Sequence, residues 1–104
     1  TPESPKRRQE NMMEQARKLE AMGLPMEMLD SWELEPLQLQ PAQCRAAAAL
    51  FLGVQSHGVP VSSAKMTGFV AAAEAGYLQN PFHNWRHAVD VTHGVYRWLR
   101  LFRV

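Results

Sequence analysis

Three of the four histidines lie between residues 83 and 93, and their spacing is the feature of this sequence that most directly suggests chemistry. On one helix, a step of about 100° per residue places His83, His87, Asp90 and Gly94 within about 60° of one another. Imidazoles one turn apart can converge on one metal ion or one substrate. Because Gly94 leaves room beneath them, the pattern predicts a ligand-facing stripe.

The polar side of an ordinary amphipathic helix has the same pattern, and on spacing alone this alternative stays open. The opposite face is apolar, with Trp85 and Val89 at its edges, and is formed by Ala88, Thr92, Val95, Tyr96, Leu99 and Phe102. A third stripe is predicted to be a solvated basic face and contains Arg86, His93, Arg97 and Arg100. We therefore expect His93 to be exposed.

The N-terminal part of the chain predicts one amphipathic helix followed by an irregular segment. Between residues 6 and 22 the apolar side chains recur at helical spacing, at Met12, Met13, Ala16, Leu19 and Met22. The sequence Gly23-Leu-Pro is expected to end this helix. Residues 26–34 then predict a one-turn or irregular segment that carries Trp32.

Proline, serine and glycine divide the rest of the chain into three further helices. Pro41 suits the first position of a helix that continues to about residue 55. A serine at 62 or 63 is predicted to cap a helix that reaches about residue 75 and closes at Gly76. Asn80 and Pro81 are predicted to open a last helix that runs to residue 104. With no convincing strand pattern, we expect an all-α helical bundle.

Composition limits the classes of protein to consider. The 104 residues correspond to one ordinary domain. A formal net charge of +1 produces no overall electrostatic field that would attract nucleic acid or acidic membranes. The longest apolar run, residues 46–54, is too short for a membrane span, which needs about twenty residues. Cys44 has no cysteine partner in the chain. A reducing, intracellular and cytoplasmic location is therefore expected.

Residues 80–92 read Asn-Pro-Phe-His-Asn-Trp-Arg-His-Ala-Val-Asp-Val-Thr. This stretch resembles the signature Asn-Pro-Tyr-His-Asn-x-x-His-Ala-x-Asp-Val of class I 3′,5′-cyclic nucleotide phosphodiesterases, with Phe82 in place of the usual Tyr. The resemblance covers residues 29–104 and is dense in residues 77–95. It implies that the helices form the N-terminal portion of a larger multi-helix phosphodiesterase catalytic domain of the HD type.

The resemblance implies a role for each motif histidine. His83 matches the general acid, which contacts the nucleotide and protonates the O3′ leaving group. His87 matches a ligand of a tightly bound metal. Two divalent metals, Zn2+ and Mg2+ or Mn2+, are implied as cofactors. The implied reaction is hydrolysis of cAMP, cGMP or both to the 5′-monophosphate in signal transduction.

Two further motif residues have two interpretations each. Asn84 either supports the site or caps the first turn of the helix. Asp90 matches a family residue that is not a metal ligand, and it either orients the site or belongs to a simple polar face.

His93 stands where many family members have Gln. His57 is interpreted as a loop residue because it lies in a Gly/Pro turn.

The family completes its first metal site with a later His-Asp pair and another Asp, and holds the purine with a Gln. No His, Asp, Glu or Gln follows residue 93. The expectation is therefore a lead-in with an amphipathic helix over residues 1–28, and the N-terminal part of a catalytic domain over 29–104, truncated at its C-terminus. Such a fragment is expected to be inactive alone.

The alternative function is a truncated helical interaction module without catalytic activity. The apolar groups Trp98, Leu99 and Phe102 are expected to stay exposed and adhesive. Such a module would form a homo-oligomer or pair with a longer phosphodiesterase chain.

Overall fold

Helices make up most of the structure, a computed structural model that describes residues 5–54, 63–78 and 83–102. Within these ranges there are five α-helices, one short 3-10 helix and no strand, so the predicted all-α class is confirmed. The bounds are α1 Pro5–Ala21, α2 Met26–Leu29, the 3-10 helix Pro36–Gln38, α3 Pro41–Val54, α4 Ser63–Gly76 and α5 Trp85–Leu101. None of the described helices has the length and apolar character needed to cross a membrane.

Helix α1 ends at Ala21, just before the predicted stop at Gly23. The Gly23 N–H donates to the Glu20 carbonyl at 3.0 Å, and the Leu24 N–H donates to the Leu19 carbonyl at 2.8 Å. These two bonds form a Schellman motif, which needs a residue in the left-handed region. Gly23 occupies that region with φ of 89°, which costs a glycine little. Leu19 and Leu24 are both buried and extend the core across the turn.

The predicted one-turn or irregular segment over residues 26–34 consists of α2 followed by turns that include Trp32, and Pro41 is confirmed as the first residue of α3. Gln43 reinforces this start, because its Oε1 accepts the backbone N–H of Gln40 at 2.8 Å. The side-chain amide of Gln43 also donates to the Met22 carbonyl at 2.9 Å. The first turn of α3 is thereby fixed to the end of α1.

Helix α3 is the centre of the fold, because α1, α4 and α5 all pack against it. Its run of alanines lets these neighbours approach closely, and Phe51 fills the space toward α5. Cys44 is buried on the same helix and its Sγ lies 3.7 Å from the Pro36 carbonyl oxygen. Burial raises the pKa of this thiol. The buried core consists of Leu19, Leu24, Leu29, Leu34, Leu39, Cys44, Ala47, Ala48, Ala49, Leu50, Phe51, Val70, Val89 and Tyr96.

Helix α4 ends at Gly76, close to the predicted position. Of the two serines predicted as its cap, Ser63 is the first helical residue and Ser62 lies outside the described part of the chain. Val70 buries against the core. At the other edge, Arg45 on α3 donates to both carboxylate oxygens of Glu74, at 3.0 and 3.2 Å.

The predicted start of the last helix is wrong over its first described residues. His83 and Asn84 are not helical, and α5 begins at Trp85 with Asn84 as its N-cap. The Asn84 side chain accepts the backbone N–H of His87 at 3.0 Å, which satisfies a donor that the first turn leaves unpaired. Asn80, Pro81 and Phe82 lie outside the described residues. At the other end α5 stops at Leu101, before the expected residue 104.

The predicted orientation of α5 is wrong in part: Tyr96 and Val89 are buried, as their place on and beside the predicted apolar face implies, but His93 is buried as well and is not exposed. Its buried side is formed by Val89, His93 and Tyr96, whereas Val95 and Phe102 are exposed. The helix is rotated because His93 and Tyr96 have hydrogen-bond partners at the end of α2, in Leu29 and Asp30. A polar group with such a partner can be buried without a large desolvation cost.

Candidate functional site

His83 and His87 lie side by side at the N-terminal end of α5. Their ring centroids are 5.8 Å apart, with the rings nearly perpendicular at 86°. Both side chains are exposed, so a ligand can reach them from solvent. The expected proximity of the two imidazoles is confirmed, although His83 precedes the helix and only His87 belongs to its first turn.

Asn84 lies between the two histidines in sequence and caps the helix, so its capping role is confirmed. The cap fixes the direction of the first turn, and with it the backbone that carries His87. Asp90 lies one turn further along and is half-buried. Burial lowers the pKa of His93, and the charge of Asp90 is one of the effects that oppose this shift.

A tightly held metal needs more donors than this histidine pair supplies. Structural zinc takes four protein ligands and catalytic zinc about three. Among the described residues, no group of three or more His, Cys, Asp or Glu side chains could hold a metal ion. The donor set given by His83 and His87 therefore does not by itself fit the metal pair that the motif implies.

A small cavity of about 200 Å³ lies beside this end of α5. Its walls come from Pro41, Glu74, Tyr77, Leu78, Asn84, Trp85 and Arg86. The Trp85 ring packs 5.9 Å from the Tyr77 ring, and its Nε1 is buried without a hydrogen-bond partner in the described structure. Three consecutive motif residues thus face this cavity.

A second polar constellation joins α5 to Asp30 just after α2, and it was not among the expectations drawn from the sequence. The Tyr96 hydroxyl donates to Asp30 Oδ1 at 2.5 Å, and Arg100 Nε lies 3.3 Å from the same oxygen. Burial first, and then the Asp30 carboxylate, raise the pKa of the Tyr96 phenol. The signal that could have found it is the i, i+4 spacing of Tyr96 and Arg100 on α5.

His93 belongs to the same contact and corrects the expectation of an exposed basic stripe. It is only 3% exposed, and its Nε2 lies 3.0 Å from the Leu29 carbonyl oxygen, to which the neutral ring donates. The ring also packs 5.3 Å from Phe51 and 6.1 Å from Trp32. Arg97, expected in solvent, lies over the Trp32 ring at 5.3 Å. We call the contacts of His93, Tyr96, Arg97 and Arg100 with residues 29–32 the α5 seam.

The α5 seam makes stability depend on pH. Burial, the largest effect, lowers the pKa of His93, and Arg97 adds to it, while Asp90 and the backbone at Leu29 and Ser31 oppose it. Below about pH 6.5 the unfolded chain therefore binds more protons than the folded chain. We expect the free energy of unfolding to fall as the pH drops from about 6.5 toward the folded pKa, by at most about 1.4 kcal/mol per pH unit.

Urea denaturation between about pH 7.5 and about pH 5.5 measures this slope. His93→Phe keeps the ring but cannot titrate, so its slope should be smaller than that of the wild type. His87→Phe is the matched control, because His87 is exposed and its loss should leave the slope unchanged. Equal slopes for the wild type and His93→Phe would contradict the assignment.

No protein-family model matches the sequence, and neither a curated protein nor a solved structure proved similar to it. The likeness to phosphodiesterases therefore rests on the residues of the motif.

Proposed function

We propose that this chain is the N-terminal part of the catalytic domain of a metal-dependent 3′,5′-cyclic nucleotide phosphodiesterase, an intracellular enzyme with an HD-type helical fold. The observation that carries the proposal is the histidine pair, His83 and His87, with ring centroids 5.8 Å apart. The pair stands in register with the phosphodiesterase motif over residues 80–92.

His83 is the proposed general acid. It is exposed and lies just before the capped first turn of α5, so a cyclic phosphate can approach it from solvent. In the reaction, a water oxygen bonds to phosphorus and the bond from phosphorus to O3′ breaks. The departing O3′ takes a proton from the protonated His83 imidazole, which acts as a general acid. One proton of the attacking water passes to solvent, from which His83 is reprotonated.

His87 is the proposed metal ligand, through an imidazole held on the first turn of α5. The implied metals, Zn2+ and Mg2+ or Mn2+, would supply an activated water and neutralise phosphate charge. The described residues offer His83 and His87 for this role but not a third donor.

A second candidate function is an interaction module without catalysis, a homo-oligomer or a partner of a longer phosphodiesterase chain. It is favoured by the exposed aromatic side chains near the end of α5, since Trp98 is 53% and Phe102 65% exposed. Large apolar groups on a surface commonly mark protein contacts.

A zinc titration followed by NMR of the imidazole protons tests the proposed roles. We expect zinc to shift the His83 and His87 signals, and His87→Ala to abolish the response. A 3′,5′-cyclic nucleotide added to the zinc-bound chain should then shift the His83 signal, whereas adenosine, which has no phosphate, should not.

His57→Ala is the matched control, because His57 is a histidine outside the motif. It should leave both responses unchanged. The proposal is wrong if zinc perturbs His57 as strongly as the motif histidines, or if cyclic nucleotide and adenosine act alike on His83.

A further inference from the structure

The backbone at the start of α5 sets the relative position of His83 and His87. Both side chains are exposed, so packing around the rings does little to hold them. His83 precedes the helix, whereas His87 belongs to its first turn. A change in where α5 begins, or in how its first turn is rotated, therefore changes the distance between the two imidazoles. Whatever holds this turn against the rest of the fold also holds the pair.

Trp85, the first residue of α5, joins this turn to the end of α4. Its ring lies 5.9 Å from the ring of Tyr77 with a tilt of 57°, which is the geometry of an aromatic pair. The half-buried Trp85 side chain also packs against the hydrophobic core. Tyr77 is held in turn, because its backbone N–H donates to the Glu74 carbonyl at 3.1 Å. The start of α5 is thereby fixed beside α4.

Helical geometry makes this contact control the direction of His87. Trp85 and Val89 are one turn apart and therefore lie on the same side of α5. Val89 is only 1% exposed. His87 is two residues from each of them, and a step of about 100° per residue places it on the opposite side. As long as Trp85 and Val89 are packed, His87 faces solvent beside His83.

The Trp85 ring and the Asn84 cap act on different parts of the first turn. The Asn84 side chain accepts the His87 N–H at 3.0 Å, a bond between groups of the same turn. The Trp85 ring adds a contact to α4, which the capping bond does not supply. Without this ring the turn has less to hold it against α4, so it frays more readily and the capping bond opens more often.

The ring of Trp85 makes this contact without help from its polar group. The indole Nε1 is buried and has no hydrogen-bond partner in the described structure. A buried donor without a partner costs stability, and such groups are few in native proteins. The position of α5 therefore depends on the aromatic ring and not on the N–H. Another aromatic ring at residue 85 should serve the same purpose.

We propose that Trp85 is a positioning residue for the histidine pair, and that its ring fixes the first turn of α5 so that His83 and His87 stay side by side. This role rests on the proposed function, which assigns chemistry to the two imidazoles. A general acid has to lie within hydrogen-bond reach of the atom that it protonates. A misplacement of about 1 Å can cost about 10²-fold in rate.

NMR of the chain without zinc or nucleotide tests the positioning separately from the catalytic roles. The wild type should show a nuclear Overhauser effect between the ring protons of His83 and His87, whose rings meet edge to face. Trp85→Ala should abolish this effect and speed hydrogen exchange of the His87 amide about fivefold, as the loss of a helix cap does. Tyr77→Ala should weaken the effect in the same way. Tyr77 is 46% exposed, so its removal leaves the core intact.

Two further variants separate positioning from general stability. Trp85→Phe keeps an aromatic ring and removes the unpaired donor, so the Overhauser effect and the slow exchange of the His87 amide should return. Val89→Ala is the matched control, because it removes packing on the same side of α5 one turn away. It should lower the free energy of unfolding in urea and leave the effect between His83 and His87 unchanged. Circular dichroism checks that each variant is folded.

The proposal is overturned if Trp85→Ala keeps the Overhauser effect of the wild type, if Trp85→Phe does not restore it, or if Val89→Ala loses it to the same extent. A wild type without the effect would also overturn the proposal, because the two rings would then not lie side by side. Failure of the zinc and nucleotide titrations removes the catalytic roles instead and leaves these NMR results as they are.

Discussion

Replacing His83 with alanine is expected to lower the turnover of cyclic nucleotide about 10²- to 10⁴-fold, the usual loss when a general acid is removed. The assay uses a chimera in which residues 29–104 replace the corresponding segment of a characterised cyclic nucleotide phosphodiesterase. His83 is exposed and precedes the capped turn of α5, so its removal should leave the helix and the metal content unchanged. Turnover and bound zinc are measured on the same preparations.

His87→Ala in the same chimera should instead lose zinc together with activity, because an imidazole ligand is removed. His57→Ala is the control for losing a histidine from the exchanged segment and should retain both. The role assignment fails if His83→Ala keeps full turnover, or if the His83 and His87 variants both lose zinc to the same extent.

Phe51→Ala is expected to lower the free energy of unfolding by about 3–5 kcal/mol. Phe51 is 1% exposed, and its ring lies 4.6 Å from the ring of Tyr96 and 5.3 Å from that of His93. Removing it leaves a cavity between α3 and α5 that the helices cannot close without losing the α5 seam. Since domains of this size have about 5–15 kcal/mol in total, a large share of the stability would be lost.

Urea denaturation of the wild type and of Phe51→Ala under the same conditions measures this loss. Phe69→Ala makes the same chemical change at an exposed position, and it should alter stability by no more than about 0.5 kcal/mol. Similar losses at both positions would mean that the packing of α3 on α5 does not hold the fold together.

Most helix boundaries could be predicted because local chemistry decides them. Gly23 can adopt the backbone conformation that ends α1, and Pro41 fits the first turn of α3. The predicted start of α5 was wrong because the sequence offers two capping signals, Asn80-Pro81 and Asn84. Only the structure shows that the Asn84 side chain accepts the His87 N–H. Propensity alone does not rank two nearby caps of the same residue type.

The orientation of α5 could not be predicted from periodicity. A hydropathy pattern places His93 with the arginines on a solvated face, yet the structure buries it. Its partner is the Leu29 carbonyl, 64 residues earlier in the chain. Tyr96 similarly depends on Asp30. Burial of a polar group is decided by partners that tertiary folding supplies, and their positions are not local properties of the helix.

Only the local part of the candidate site could be predicted from the sequence. The proximity of His83 and His87 follows from their separation of four residues, which is a local property. The small cavity lined by Trp85, and a larger cavity of about 760 Å³ between α1, α3 and α4 that is lined by Ala71, arise where separate helices meet. Their shapes depend on the packing of α3 against its neighbours, which composition and spacing leave undetermined.

The α5 seam also bears on the order of events during folding. The bond between Asp30 and Tyr96 closes a loop of 66 residues, whereas the contacts that end α1 and start α3 close short ones. Closing a long loop costs more chain entropy, and this cost is met only once other contacts have shortened the effective loop. Docking of α5 onto residues 29–32 is therefore expected to be a late step, after α1 and α3 have come together.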